Sequence, residues 1–363
     1  MRSLEAKLKT SFIISAVALS LIGLAFVHSA GSYWGAVHYA DSSPFIVKQM
    51  IYMTVSIGIG LIIMKSPLTS NPKTWTVFYI AMIVLLIAVL IPGIGAVRNG
   101  SQSWIAFGPF SIQPAEFIKV ALIGKLACSI AKSTGKGVFR FSHFGLILLP
   151  AGLIMMQPDL GSAVIMIVSA FVILFIAGYP LRFFLFLGLG GVGAFIALIA
   201  AAPYRLDRIK SYIDPWNDPL GTGFQGIQSL FAIAPGGLVG HGYGNSRQKY
   251  LYLPEPQNDF IFSIIAEESG FIGAAVVLLL FAVLLASTFG IAIRTKGKYA
   301  FLMVAGMGSM IIFQTFLNVG VVSGLLPVTG VTLPFISYGG SSLMTTWIAA
   351  GTIMHFTVVK KSQ

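Results

Sequence analysis

Long apolar runs, separated by short polar or basic connections, follow one another along most of the chain. A hydrocarbon core of about 30 Å needs about 20 helical residues to cross it, whereas a β-barrel would show alternating strands of about ten residues. The runs therefore predict an all-α polytopic membrane protein with about ten transmembrane helices. We place these helices at roughly 11–30, 45–64, 75–94, 115–133, 142–158, 161–180, 183–203, 260–293, 300–320 and 341–358.

One long polar passage, at 204–258, interrupts this pattern between predicted helices 7 and 8. Asp207, Asp214, Asp218 and Glu255 lie in it and Asp259 follows directly, in a chain with only 11 acidic residues. Its several prolines argue against one continuous helix, because proline removes a backbone donor and disrupts the preceding turn. We expect a long extracellular loop that carries the chemistry, within a single transmembrane domain at 1–363.

Composition supports the membrane class, since 56% of the residues are hydrophobic and only 9% are charged, against about a quarter in soluble proteins. In a membrane protein, the formal charge of +12 is interpreted first through the orientation of the helices and through contact with anionic lipids. No aromatic and basic module appears, so we expect no nucleic-acid partner. The single cysteine, Cys128, excludes an intrachain disulfide, and the five histidines are too scattered for a zinc signature.

The distribution of basic residues predicts the orientation. If the N-terminus is cytoplasmic, 14 Lys and Arg residues lie on the inner side and seven on the outer side, five of these in the long loop. Long loops are translocated largely regardless of charge, so the short loops show a clear inner bias. We therefore expect both termini in the cytoplasm, with the first apolar run as an uncleaved helix and the long loop facing outward.

Three acidic or basic residues near the predicted helix ends are candidates for a site or for structure. Glu116 and Lys119 lie three apart on one helical face, and charges at that depth are costly unless they pair or face a polar cavity. They are either a structural pair or a substrate-facing pair. Asp159 precedes predicted helix 6 and either caps it or belongs to a site.

The outer side also gathers Arg205, Arg208, Arg247 and Lys249. Arginine and lysine suit phosphate oxygens, and the neighbouring helices can accommodate a lipid tail. This combination predicts a substrate that is an amphiphile with an anionic head. Glu255 or Asp259 could supply a general base for its chemistry, and their spacing does not choose between them.

Several passages of the chain together resemble the SEDS family (shape, elongation, division and sporulation), and its FtsW/SpoVE branch in particular. They are Arg98-Asn99-Gly100-Ser101, Gln157-Pro158-Asp159-Leu160-Gly161, Asp214-Pro215-Trp216, Leu253-Pro254-Glu255-Pro256-Gln257-Asn258-Asp259-Phe260-Ile261-Phe262, and Leu333-Pro334-Phe335 with Ser337-Tyr338-Gly339-Gly340-Ser341-Ser342.

That resemblance implies a bacterial cytoplasmic membrane enzyme that polymerises lipid II and releases undecaprenyl pyrophosphate, with Asp259 as the catalytic carboxylate of an inverting reaction. Family members often carry His-Thr before this aspartate, whereas this chain has Gln257-Asn258, which argues against a required histidine base. Glu116 and Lys119 match polar residues of the family's fourth helix. Ser341 belongs to the last matching passage, and we count it with Asp159 among the expected substrate-binding residues.

The resemblance also implies a partner, a class B penicillin-binding protein that supplies cross-linking. A divalent cation, Mg²⁺ or Mn²⁺, would suit the pyrophosphate leaving group, although no ligand set in the sequence establishes one. Two other functions compete with polymerisation. A flippase for lipid-linked precursors would need the same amphiphilic cavity without a base, and a scaffold for division or sporulation proteins would not need Asp259.

Overall fold

The computed structural model describes residues 2–39, 44–98, 100–108, 110–133, 140–185, 188, 190, 193, 211–250 and 252–358. Ten helices run through this part of the chain. They are α1 (Arg2–Tyr39), α2 (Pro44–Lys65), α3 (Pro72–Leu90), α4 (Pro114–Ala131), α5 (Ser142–Met155), α6 (Leu160–Ile176), α7 (Phe224–Ile233), α8 (Ile261–Arg294), α9 (Lys298–Val322) and α10 (Gly340–Val358).

The predicted transmembrane segments coincide with helices wherever the structure describes them. Within the described residues, five helices, namely α1, α2, α3, α8 and α9, are long and apolar enough to cross a membrane, and α5 and α6 are shorter apolar helices. The predicted segment at 183–203 lies largely outside the described residues. The helical, polytopic fold class expected from the sequence is therefore confirmed.

Helix α4 lies at the centre of the bundle, because its residues are buried nearly all round and it contacts α3, α5, α6, α9 and α10. A helix without an exposed face belongs in a protein interior. It begins at Pro114, where the missing N–H of proline has no intrahelical partner to lose. The helix predicted at 115–133 begins one residue later.

Helices α2 and α10 approach each other closely through two glycines. A Cβ added to Gly351 would stand 2.3 Å from the carbonyl oxygen of Gly60, and one added to Gly60 would stand 2.8 Å from that of Trp347. Small residues at such contacts allow helix backbones to approach in membranes.

The connection between α3 and α4 is a small antiparallel sheet that the sequence pattern did not reveal. Strands β1 (Gly95–Arg98), β2 (Ser101–Phe107) and β3 (Phe110–Ile112) pair in chain order, with Gly95 opposite Ile105 and Ile105 opposite Ile112. The side-chain amide of Gln102 donates to the carbonyl of Val89 at 3.0 Å, which ties the sheet to the end of α3. Strands β1 and β3 have only four and three residues, and the seven residues of β2 do not alternate between polar and apolar, so the pattern gives no strand signal.

The predicted extracellular loop has regular structure in its described part. It contains α7, flanked by 3₁₀ helices at Pro215–Asn217 and Ala234–Gly236, so the proline-rich passage is not one continuous helix. Ser229 of α7 donates to the carbonyl of Val322 at 2.7 Å and its oxygen lies 2.8 Å from that of Ser263. Helix α7 is therefore attached to the first turn of α8 and the end of α9.

Helix α8 is broken at Gly270, whose φ of 66° and ψ of −167° are not helical. The break frees backbone groups, and the segment at 237–242 satisfies them. His241 and Gly242 donate to the carbonyls of Glu267 and Glu268 at 3.0 and 2.9 Å, and Phe271 donates to that of Gly237 at 2.8 Å. Irregular backbone at membrane depth needs such internal partners.

We predict that Gly270→Ala lowers the thermal unfolding temperature of the detergent-solubilised protein. This backbone conformation is essentially restricted to glycine and costs about 1–3 kcal/mol for other residues, and the added Cβ would stand 2.4 Å from the backbone nitrogen of Gly240. Gly58→Ala on α2 is the matched control, since its Cβ would have no atom within 4 Å. Equal unfolding temperatures for the two variants would contradict the prediction.

Candidate functional site

Asp259 lies in the turn that leads into α8, at the end of the bundle where α4, α6, α8 and α10 begin; we call this the loop end. The residue is half-buried, between the buried Gln257 and Phe260. Its carboxylate faces the connection between α9 and α10, because a Cβ added to Gly330 would stand 3.9 Å from Oδ2. Glycine thus leaves open the space in front of the carboxylate.

The environment of Asp259 favours its neutral form. Burial raises the pKa of this carboxyl to about 7, and the nearby Glu255 carboxylate acts in the same direction. A group whose pKa is close to the working pH is well matched to general base catalysis.

Glu255 is held in a strained turn. Its φ of 43° lies in the left-handed region, which residues with a side chain rarely adopt. Its carboxylate accepts a hydrogen bond from the side-chain amide of Asn258 at 2.6 Å, and its carbonyl accepts one from the Asn258 backbone at 3.0 Å. Glu255 therefore closes the turn before Asp259, which distinguishes the two acids that the sequence alone left equal.

Asn318 of α9 fixes the position of the Asp259 backbone. Its side-chain amide donates to the carbonyl of Asp259 at 2.6 Å and to that of Val331 at 2.7 Å. One helical turn earlier, Gln314 donates to the carbonyl of Thr332 at 3.1 Å. Two amides on one face of α9 thus hold the turn before α8 and the connection at 331–332 against each other.

Glu116 and Lys119 form a buried ion pair with 2.8 Å between Oε1 and Nζ. The lysine side chain is 0% exposed, and its ammonium also donates to Gln314 Oε1 at 3.0 Å. The second oxygen of Glu116 accepts from Thr345 of α10 at 3.2 Å. In this arrangement the pair joins α4, α9 and α10 and supports the connection that faces Asp259.

Asp159 caps α6, as one of the two sequence interpretations expected. Its Oδ1 accepts from the backbone of Ser162 at 3.0 Å and its Oδ2 from the side chain of Gln113 at 2.9 Å. The backbone of Gln113 in turn donates to Ser341 Oγ at 3.0 Å. Burial raises the pKa of Asp159 above its ordinary value. Asp159 and Ser341 therefore join the starts of α4, α6 and α10.

The two described basic residues of the loop have different surroundings. Lys249 is buried, and its ammonium lies 3.7 Å from Glu268 and donates to the carbonyl of Gly244. Arg247 is exposed, and its backbone N–H donates to Glu267 Oε1 at 2.8 Å. Arg205 and Arg208 lie outside the described residues.

Glu267 and Glu268 anchor this part of the loop to α8. Glu267 also accepts from Ser246 Oγ at 2.6 Å, and Glu268 accepts from the backbone of Gly244 at 3.0 Å and from Ser29 of α1 at 2.5 Å. Both side chains are buried, and each accepts several hydrogen bonds, as buried polar groups require. Neither residue was among the site residues predicted from the sequence.

Gln314 and Asn318 were also missed. Their signal was present, because amides four apart in an apolar helix fall on one face and polar side chains inside membranes are costly unless they have partners.

Oxygen atoms near Asp259 have the chemistry of ligands for a hard cation. The buried Gln257 Oε1, Asn258 Oδ1, Asn318 Oδ1 and Thr329 Oγ1 have no hydrogen-bond partner in the described part of the chain. Carboxylate, amide and hydroxyl oxygens suit Mg²⁺ or Mn²⁺. No group of three or more His, Cys, Asp and Glu side chains with a suitable arrangement occurs among the described residues, so a cation would depend on these neutral oxygens besides Asp259.

Comparisons with known proteins agree with this architecture. The family described as "Cell cycle protein" (FtsW/RodA/SpoVE) matches residues 9–362. The chain is 46% identical to stage V sporulation protein E of Bacillus subtilis over 94% of its own length and 95% of that protein. It is 38% identical to the probable peptidoglycan glycosyltransferase FtsW of Saccharophagus degradans, over 94% of its own length and 90% of that protein.

Two solved structures share the fold. A chain of a peptidoglycan synthase complex that coordinates polymerization and crosslinking superimposes with a TM-score of 0.78 at 30% identity, over 97% of this chain and 98% of that one. The rod shape determining protein RodA of Thermus thermophilus gives 0.72 at 26% identity, over 97% of both chains.

The fold and the polar loop end define a multi-pass membrane protein with its candidate site beside the ends of the helices. This chain belongs to the FtsW/RodA/SpoVE family.

We predict that Asn318→Leu destabilises the protein, because it removes both donors and leaves two buried carbonyls unpaired, at about 1–3 kcal/mol for each unsatisfied group. Thermal unfolding in detergent measures the effect. Thr315→Val is the control on the same helix, since Thr315 donates only to its own helix at Ile311. A decrease in stability no larger than that of the control would contradict this role of Asn318.

A double-mutant cycle tests the buried pair on α4. Glu116→Gln and Lys119→Met each leave a buried charge without its partner, which typically costs about 3–5 kcal/mol. We expect the double variant to be much less destabilised than the sum of the single variants, by chemical or thermal unfolding. Strict additivity would show that the two side chains do not interact.

Proposed function

We propose that this chain is a peptidoglycan glycosyltransferase that polymerises lipid II at the outer face of the bacterial cytoplasmic membrane. The observation that carries the proposal is the Asp259 carboxyl, which burial brings to a pKa of about 7 at the loop end of a membrane bundle. Relatives described as probable peptidoglycan glycosyltransferases support it, at 38% identity over nearly the whole chain.

Asp259 acts as the general base in this mechanism. Its carboxylate takes the proton of the acceptor sugar 4-hydroxyl as that oxygen attacks the anomeric carbon of the donor. The bond from this carbon to the lipid pyrophosphate breaks on the opposite side, so the configuration inverts and undecaprenyl pyrophosphate leaves with the electron pair. Proton transfer by a positioned side chain contributes typically about 10²–10⁴ in rate.

The charge that develops on the pyrophosphate needs cations near it. Arg247 is exposed and suited to this role, together with Arg205 and Arg208. Lys119 and Lys249 are buried against carboxylates at 2.8 and 3.7 Å, so we propose that they position the surrounding segments. Glu116, Asp159, Glu255 and Ser341 act with them, because each holds a helix start or the turn before Asp259.

A divalent cation would neutralise charge on the pyrophosphate when bound. Asp259 would hold it together with Asn258 and Asn318. The side-chain amide oxygens of these two asparagines have no hydrogen-bond partner in the described structure.

We further propose one transmembrane domain at 1–363, with both termini in the cytoplasm and 204–258 as the extracellular loop. A class B penicillin-binding protein would supply cross-linking. The similarity to a chain of a peptidoglycan synthase complex supports such a partner.

We predict that the rate of lipid II polymerisation increases about tenfold for each unit by which the pH is raised towards 7, and that it is constant above pH 7. The base must be deprotonated, and its pKa is raised to about 7. Asp259→Asn should lose at least about 10²-fold and the pH dependence with it. Product from Asp259→Asn at the wild-type rate would remove this residue from catalysis.

The variant Glu255→Gln tests which of the two acids, Glu255 or Asp259, is the general base. Removing the Glu255 charge removes one of the causes that raise the pKa of Asp259, so the inflection of the rate should move to lower pH while a pH-dependent rate remains. Loss of all activity with Glu255→Gln, and its retention in Asp259→Asn, would instead make Glu255 the base. Folding of each variant is verified by its thermal unfolding.

A further inference from the structure

A cavity of about 410 Å³ lies at the loop end, between the segment at 211–230 and the connection from α9 to α10. Its lining includes Ser211, Tyr212, Thr222, Gln225, Gly226 and Val328. Small-molecule sites typically have volumes of about 300–1,000 Å³, with a few polar groups on a largely apolar wall. The cavity therefore has the size and the mixed lining of a ligand site.

The lining of this cavity carries no charge among the described residues. No Asp, Glu, Lys, Arg or His side chain belongs to it, and its polar groups are hydroxyls, one amide and the backbone of several glycines. Asp218 lies nearby, but its Oδ2 accepts from the Thr222 backbone at 2.8 Å and hydroxyl at 3.1 Å. The described part of the lining therefore offers hydrogen bonds that suit a neutral polyol.

Hydrogen bonds fix the walls of the cavity relative to each other. Tyr212 donates to the carbonyl of Leu325 at 2.7 Å and thereby joins the two sides. Ser229, on the next turn of α7, donates to the carbonyl of Val322. The cavity is thus formed before a ligand binds, which reduces the ordering cost of binding.

The cavity is linked to Asp259 through the connection between α9 and α10. Pro327 and Val328 form part of its wall, and two residues later Gly330 faces the Asp259 carboxylate. Asn318 holds this connection and Asp259 together through Val331. The same connection therefore forms part of the cavity wall and part of the surroundings of Asp259.

We propose that this cavity is a subsite for uncharged sugar units of the glycan, beside the residue that carries out the reaction. This inference rests on the proposed function. Sugar hydroxyls and acetamido groups bind Gln225, Thr222 and the glycine backbone, and the apolar faces of the sugar rings pack against Leu230 and Val328.

Gly226→Leu tests the proposal, because it fills the cavity without disturbing the fold. A Cβ at this position would have no atom within 4 Å, and leucine has a higher helix propensity than glycine. Gly152→Leu on α5 is the matched control, since its Cβ position is equally open and it lines no part of the cavity. The probe is chitotetraose, a neutral β-linked oligomer of N-acetylglucosamine, observed by saturation-transfer NMR with the full-length protein in detergent.

We expect saturation transfer to chitotetraose from the wild type, from Gly152→Leu and from Asp259→Asn, and its loss in Gly226→Leu. The glycan strands made by Gly226→Leu should also be shorter than those of the Gly152→Leu control. An undiminished NMR signal in Gly226→Leu, or no signal in the wild type, would overturn the subsite.

The same variants separate this result from the proposed function. The proposed function is contradicted if the wild type does not polymerise lipid II, or if Asp259→Asn still does. The binding of chitotetraose is measured without polymerisation, so its result does not depend on that outcome.

Discussion

The side-chain amide of Asn318 is the contact on which the candidate site depends. It bonds the carbonyls of Asp259 and Val331 at 2.6 and 2.7 Å, and so joins the start of α8 to the connection between α9 and α10. Both segments are irregular, and each would otherwise leave backbone groups unpaired in a buried region. Because this single side chain satisfies both, the carboxylate of Asp259 keeps a defined position opposite Gly330.

A second constraint follows from the same need to satisfy backbone groups inside a helical membrane protein. The break of α8 at Gly270 exposes carbonyls and amides, and the segment at 237–242 pairs with them. Glu267 and Glu268 then bind the next turn of that segment through Ser246, Gly244 and the backbone of Arg247. The loop that the sequence showed as a polar interruption is therefore attached to the bundle along several of its described turns, which brings its charged residues to a fixed place beside the helix ends.

The sequence predicted the membrane class and the helices because long apolar runs have one main structural solution in a bilayer. It also placed the start of α4 within one residue of Pro114 and gave the cap as one of two interpretations of Asp159, since both are local effects of a single residue type. The resemblance in the passage at 253–262 selected Asp259, which spacing alone did not distinguish from Glu255.

What the sequence could not supply is long-range pairing. The bond from Lys119 to Gln314 spans 195 positions, and that from Asn318 to Asp259 spans 59. Neither has a local signature. The contact of the Lys249 ammonium with the buried Glu268 is likewise one that the sequence did not indicate. The three short strands were missed because their residues show no alternation long enough to recognise.

The central claim is that the fold places Asp259 where its carboxyl is poised to exchange a proton near neutral pH. Carbon-13 NMR of protein labelled at aspartate side chains tests this directly, with the Asp259 resonance assigned by its absence in Asp259→Asn. The structure predicts a titration of this resonance at about pH 7. A titration close to the ordinary aspartate value of about 3.9 would contradict the account.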